Sequence, residues 1–318
     1  MILRCSGVPL RVGLGVSRLV VTVAVAAVAG LVAEARGQEA PWKLVAWKPI
    51  SANPVFRGTG QDTWDRKIRE RGFILPGKDG TLDLWYTGYD HDRPATMALG
   101  HATSTDGVRW TRDPRNPIFR DSWVEDMCVV REPDGTYQMF AEGKGDIAHR
   151  LSSRDGITWT DHGSLDIRKV DGTPIGPGAF GTPTAWLEDG VWWLFYERSD
   201  LGIWLARSRD LKVWTNVQDD PVIACGPEPY DAAAVALNQV IKRDGHYYAL
   251  YHANAQRPWK DWTSNVARSK DLIHWEKYPG NPIIGGNCSS PILVTTPAGD
   301  RLYTMHPEVR VFEPAVTK

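Results

Sequence analysis

The sequence predicts an all-β fold: a five-bladed β-propeller with four antiparallel strands per blade. Three observations carry that prediction. The phrase Ser-x-Asp-(Gly/Leu)-x-x-Trp occurs four times. A unit made of an apolar run, a Gly-containing turn and an aromatic-rich run occurs five times. No long amphipathic helical pattern lies between the units.

The four phrases end at Trp110, Trp159, Trp214 and Trp275, spaced by 49, 55 and 61 residues. They begin at Ser104, Ser153, Ser208 and Ser269 and carry Asp106, Asp155, Asp210 and Asp271. Upstream of each lies the second unit. It runs Phe73 to Tyr86 around Asp79-Gly80, Val129 to Phe140 around Asp134-Gly135, and Thr184 to Tyr196 around Asp189-Gly190. It returns from Val240 to Tyr251 around Asp244-Gly245, and closes the chain from Ile292 to Tyr303 around Gly299-Asp300. The marker residues Trp85, Phe140, Phe195, Leu250 and Tyr303 are spaced by 55, 55, 55 and 53 residues. Asp-Gly between apolar runs is the strongest short hairpin signal. Two hairpins make one sheet, and five sheets bury their faces when packed radially. The segment near 42–50 is expected to supply the last strand of the fifth blade. In each Ser-x-Asp phrase the Asp is expected to cap a turn and the Trp to pack between blades.

The chain has 318 residues, 42% hydrophobic and 24% charged, with a formal net charge of -1. That excludes a disordered, collagen-like or small disulfide-framed chain. The near-neutral balance argues against a nucleic-acid partner held by phosphate neutralisation. Arg4, Arg11 and Arg18 precede an apolar run at 19–33 and a small-x-small site at Ala33-Glu34-Ala35. This reads as a secretory signal peptide over 1–35, with cleavage after Ala35 or Ala40. The propeller is then one domain over 36–318, secreted or periplasmic, with no membrane contact after cleavage. Three cysteines remain, Cys128, Cys225 and Cys288, so at most one disulfide forms within the chain. Cys128 lies in an apolar run and is expected to be a buried thiol.

Fifteen Trp, ten Tyr and seven Phe are many flat rings for a chain of this size. The four repeat Trp read as architecture. Trp85, Trp186, Trp192 and Trp193 read as core. Trp64 and Trp123 stand beside acids where blades 1 and 2 begin, and there the stacking of rings on sugar faces is the stronger reading.

In a propeller the first strand of each blade lines the axis, so polar residues at its entry crowd one end of the channel. The blade entries supply Asp65, Glu70, Glu125, Asp126, Glu228 and Asp231, more acids than capping needs. An aromatic-Asp pair recurs as Trp64-Asp65 and Tyr230-Asp231. Second strands end in Glu142, Glu197, His252 and His306. Paired carboxylates around a sugar have a clear use. One activates water or attacks the anomeric carbon, and the other, kept protonated, protonates the leaving oxygen. Arg69, Arg71 and Arg131 lie near in sequence and suit pairing with these acids or binding of substrate.

These repeats and entry acids resemble the five-bladed propeller glycoside hydrolases of families 43, 62, 32, 68 and 117, with the family 130 phosphorylases as more distant kin. The resemblance covers about 42–316. It implies three axial acids, opening blades 1, 2 and 3. Asp126 matches the second. Arg71 stands at the first, with Glu70 adjacent. Gly181, in Gly181-Thr182-Pro183, stands at the third, where the resemblance implies a Glu.

The expected function is a secreted glycoside hydrolase. Asp65 would be base or nucleophile, Asp126 with Glu125 the acid that sets its neighbour's pKa, and Glu197 or Asp231 the proton donor. Trp64, Glu70, Arg71, Trp123, Glu125, Tyr230 and His252 would bind the carbohydrate. No redox cofactor is implied; a calcium ion in the channel is compatible but no motif asks for it. One alternative is a glycoside phosphorylase, with phosphate held by Arg69, Arg71, Arg131 and Arg150. The other is a carbohydrate-binding propeller without catalysis.

Overall fold

Five antiparallel sheets arise where the repeat places them. The computed structural model describes residues 41–69, 71–77, 79–90 and 97–315. The expected signal segment 1–35 and the candidate Glu70 lie outside the described residues. Blade 2 runs Glu125–Arg131, Tyr137–Gly143, Ile147–Ser153 and Thr160–Ser164, each strand pairing with the one before it. Blade 4 repeats this with Ala234–Arg243, His246–Asn254, Thr263–Ser269 and Trp275–Lys277. Blade 3 adds an edge strand, Asp166–Arg168, parallel to Val213–Asn216. The first strands of neighbouring blades touch, and that of the fifth touches that of the first, so the ring closes around one axis. Trp47–Pro49 pairs with Arg310–Pro314, so the N-terminal segment does supply the outer strand of the last blade. Among the described residues the only helical element is the 3-10 turn Pro229–Asp231, and no helix is long and apolar enough to cross a membrane.

Local chemistry explains the strands. At two hairpin tips both Asp and Gly take left-handed backbone: Asp189 (φ 50°) with Gly190 (φ 71°), and Asp244 (φ 50°) with Gly245 (φ 74°). That is the pair of positive φ angles a tight hairpin requires. The Ser-x-Asp phrase is a turn that satisfies its own backbone. Asp106 Oδ1 accepts the N–H of Val108 and Arg109 at 2.9 and 2.8 Å, and Ser104 Oγ accepts the N–H of Gly107 at 2.8 Å. The other three copies make the same bonds.

The repeat Trp then wedge the blades together. Trp159 meets Trp85 edge-on at 6.3 Å, Trp214 meets Phe140 at 5.7 Å, and Trp275 meets Phe195 at 6.1 Å. Each contact joins a blade to the marker residue of the blade before it. Trp85 Nε1 also donates to Gly156 O at 2.7 Å, and Tyr303 OH to Gly107 O at 3.1 Å, which continues the pattern across the closure. Burying one such aromatic side chain contributes roughly 1.5–3 kcal/mol. All three described cysteines are free; Cys128 is buried, and desolvation pushes its thiol up to about 11.

Candidate active site

Near its entry the first strand of four blades carries one residue in left-handed backbone. Arg71 (φ 55°), Asp126 (φ 49°), Thr182 (φ 48°) and Ser290 (φ 59°) hold positive φ at this place in blades 1, 2, 3 and 5. The pairing register shifts around Asp126, Thr182 and Asn238, as β-bulges do. On the second strands the residues beside these bulges are Thr87, Glu142, Glu197 and His252, each two after its blade's marker. Two rings of side chains therefore converge on one mouth of the channel.

Glu142 and Glu197 dominate that mouth. Glu142 Oε2 accepts the Thr182 N–H at 2.8 Å. Glu197 accepts the N–H of Gly181 at 3.1 Å and of Asp200 at 2.5 Å. Both carboxyls press on Gly181. A Cβ there would collide with the Glu142 carboxyl and lie 2.9 Å from Glu197 Oε1. Glycine is required here for close approach, not for its backbone angles. The axial Glu implied for blade 3 is absent, and two glutamates from second strands fill the space it would have taken.

The electrostatics follow from this crowding. Burial pushes the Glu142 carboxyl well above the usual carboxylate range, and the charges of Asp126, Glu125 and Asp146 push it further. Burial also raises Glu197, to about 7, with the charge of Asp200 adding to the shift against the N–H bonds it accepts. Carboxylate oxygens of Glu125, Glu142 and Asp146 lie within 4.8 Å of one another. Glu125 faces Glu142 directly across the strands and is held by Trp123 Nε1 at 2.7 Å and Arg69 Nε at 3.1 Å. Asp146 is exposed, in the turn that follows Glu142. A buried acid raised in this way can give its proton to a leaving oxygen.

The structure distributes the other sequence candidates differently. Asp65 is buried in blade 1, where its carboxylate accepts Arg112 Nε at 2.7 Å, Tyr86 OH at 3.1 Å and Thr63 Oγ1 at 3.0 Å. Asp231 is fully buried in blade 4 against Lys277 Nζ at 2.5 Å. Both are ion-paired to cations of their own blade, unlike Glu142 and Glu197. Arg71 is fully buried, and its guanidinium crosses from blade 1 to blade 3 to reach Pro183 O at 3.1 Å and Thr184 Oγ1 at 2.9 Å. It links blade 1 to blade 3 across the axis. Trp64 packs on Tyr86 at 5.7 Å and against the backbone of Gly88 and Gly100, so it is blade filling. Tyr230 likewise faces inward, bonded to Tyr251 OH at 3.0 Å and Asn281 Nδ2 at 3.2 Å. Asp126 and Glu125 lie beside Glu142, Trp123 is bonded to Glu125, and Glu197 shares Gly181 with Glu142; His252 holds the equivalent strand position in blade 4 and bonds Asn238 at 3.2 Å.

Sequence reasoning missed two features. Asp146 lies in a turn with no repeat position to mark it. A cavity of about 350 Å³ opens beside the mouth between blades 1 and 5, lined by Arg57, Arg66, Lys67, Arg69, Tyr89 and His306 among others. Of the four arginines expected to hold phosphate, only Arg69 lines it. Arg71 is axial, Arg150 donates to Gln138 Oε1, and Arg131 lines a cavity of about 760 Å³ among the ends of the first strands and their hairpins.

No family model matches the chain. It is 23% identical over 282 residues to a 1,2-β-oligomannan phosphorylase of Thermoanaerobacter sp. (strain X514), a match spanning 78% of this chain and 90% of that protein. The crystal structure of a glycosyl hydrolase from Bacteroides ovatus superposes with a TM-score of 0.71 at 16% identity, over 87% of this chain and 97% of that one. The β-1,2-mannobiose phosphorylase of Listeria innocua, in complex with β-1,2-mannobiose, does so with a TM-score of 0.64 at 15% identity, over 84% and 95%. The fold is that of the five-bladed propeller glycoside hydrolases and phosphorylases, a carbohydrate-active enzyme fold.

Proposed function

We propose that the protein hydrolyses glycosidic bonds at this mouth, with Glu142 as the proton donor. The observation that carries the reading is the burial of the Glu142 carboxyl beside Asp126, Glu125 and Asp146, which raises it well above the usual carboxylate range. As the bond between the anomeric carbon and the leaving oxygen breaks, the Glu142 proton passes to that oxygen. Water attacks the anomeric carbon from the opposite face, its proton passes to solvent, and a proton taken up from solvent by Glu142 completes the cycle. Asp126 and Glu125 keep Glu142 protonated, the role expected of Asp126 from sequence. Trp123 and His252 are placed to contact the sugar, and with the expected signal peptide the enzyme would act after export.

The test is turnover of a panel of neutral glycans, including β-1,2-mannosides, by the wild type and Glu142→Gln. A loss of about 10²–10⁴-fold in kcat is expected for the variant. Unchanged turnover would remove Glu142 as the acid.

Phosphorolysis is the second reading, favoured by the cationic cavity beside the mouth. Arg57 and Arg66 form no ion pair among the described residues, and a neutral sugar does not need so many cations. The phosphorylases among the relatives named above support it as well. Here phosphate replaces water as the attacking group and the product is a glycosyl phosphate. Activity that requires inorganic phosphate, with that product, would select this reading over hydrolysis.

A further inference from the structure

We propose that Trp259, with Trp262 behind it and Arg257 over its ring, is a platform for a distal sugar unit of the glycan chain. The inference rests on the glycan-cleaving reading of the adjacent mouth. Trp259 is the one exposed Trp among the described residues, at 37%. Its ring lies 5.5 Å from that of Trp262. Trp262 in turn sets its ring edge-on to His252 at 5.0 Å and 85°. His252 bonds Asn238 at the bulge of blade 4 and occupies the strand position that Glu142 and Glu197 hold in blades 2 and 3. An aromatic row thus runs from the axis to the rim.

The platform is built and held. It sits on the connection 255–262, where blade 2 makes the same connection with the short turn 144–146. The buried Asn254 ties both ends of that loop, donating to Lys260 O at 2.8 Å and accepting the Gln256 N–H at 3.0 Å. The Trp262 N–H is anchored on Asn287 Oδ1 at 3.2 Å. Such preorganisation lowers the entropy lost on binding. Leu201, 59% exposed, stands on the matching loop of blade 3, next to the Asp200 N–H that holds Glu197. Two of the three exposed large apolar side chains among the described residues therefore border this mouth.

A sugar ring matches this surface. Its apolar C–H surface packs on an indole, and its hydroxyls accept from a guanidinium held against the ring. Arg257 lies 4.5 Å over the Trp259 ring and forms no ion pair among the described residues, so it is available to hydroxyls. A protein partner would need a wider apolar patch than one ring and one leucine.

The experiment uses the full chain and a size series of neutral oligosaccharides, from disaccharide to hexasaccharide, over several linkages including β-1,2-mannosides. Binding is measured by calorimetry in the Glu142→Gln background, with and without Trp259→Ala, and cleavage by the single Trp259→Ala variant. Affinity is expected to rise with chain length and to fall about tenfold for the longer chains in Trp259→Ala. Trp259→Phe should recover part of it. Turnover of the disaccharide should be unchanged, because the platform lies beyond the bond being cut. Cleavage whose length dependence survives Trp259→Ala would overturn the platform and leave the catalytic reading standing. Trp259-dependent binding without cleavage in the wild type would do the reverse. Binding to none of the glycans would overturn both.

Discussion

Asp65 and Asp231, in blades 1 and 4, are buried against cations; Glu142 and Glu197, in blades 2 and 3, are buried among other acids. Asp65 meets Arg112 Nε at 2.7 Å and Asp231 meets Lys277 Nζ at 2.5 Å, each reaching from first-strand entry to outer strand within one blade. Glu142 and Glu197 instead take backbone N–H groups and the repulsion of neighbouring carboxylates. Where a cation answers, the ion pair fastens two strands. Where none does, burial raises the carboxyl and favours its protonated form. Burial of an acid at a blade entry therefore does not mark chemistry by itself; the partner decides.

The comparison breaks most visibly at Lys277. Its Nζ also donates to Ala224 O and Gly226 O at 2.7 Å, so it closes the entry loop of blade 4 as well as answering Asp231. Lys277→Met leaves a buried carboxylate and two carbonyls without their donor. A loss of about 3–5 kcal/mol in unfolding free energy is expected in urea titrations at neutral pH. Glu142→Gln should cost far less in the same titration, because burial and the neighbouring acids already favour the uncharged form of Glu142. Equal losses in the two variants would end the distinction between the two kinds of blade.

A smaller effect is read from pH. Glu197 has a folded-state value of about 7 against an ordinary value of 4.5. Because the folded value is raised, its contribution to stability is complete below pH 4.5 and is lost as pH rises through 7. The wild type should therefore lose stability across that window relative to Glu197→Gln, by on the order of 2–3 kcal/mol. The amide of that variant keeps only part of the bonding to Gly181 and Asp200, which offsets the curves by a constant, so the readout is the difference in slope. Parallel curves would show that Glu197 ionises in the fold as it does in water.

The sequence carried the architecture because the architecture repeats. The Ser-x-Asp turns, the Asp-Gly hairpins and the wedge Trp recur at fixed spacing, and each does the same work in every copy. The parallel between Trp64-Asp65 and Tyr230-Asp231 was also a true equivalence, since both acids occupy one structural position. Its meaning was written elsewhere. Two residues after the repeat Trp stand Arg112 in blade 1 and Lys277 in blade 4, but Asp161 and Asn216 in blades 2 and 3. That cation marks which entry acids are fastened. The residues that distinguish the mouth do not repeat. Asp146 lies in a turn and Trp259 on a connection unique to its blade, and Gly181 mattered for what approaches it. Periodicity exposes what blades share and hides what one blade does alone.

The smallest effect contrasts the mouth with the repeat turns. Asp106 is only partly buried, and the N–H bonds from Arg109 and Val108 lower its carboxyl to about 2. Here the folded value is depressed, so the sign reverses. The stability it contributes is present above its ordinary value of 3.8 and is lost as pH falls through 2. Asp106→Ala removes an acceptor for two backbone N–H groups that water can partly replace. A loss of about 1 kcal/mol is expected at pH 7, shrinking as the pH is lowered toward 2. Wild-type and variant melting curves recorded from neutral to acid pH should therefore converge on the acid side. Across the window where Glu197 acts, pH 4.5 to 7, they should run parallel. A turn acid that changed stability in that window would mean that its charge reaches the mouth, and that the repeat and the site are electrostatically one system.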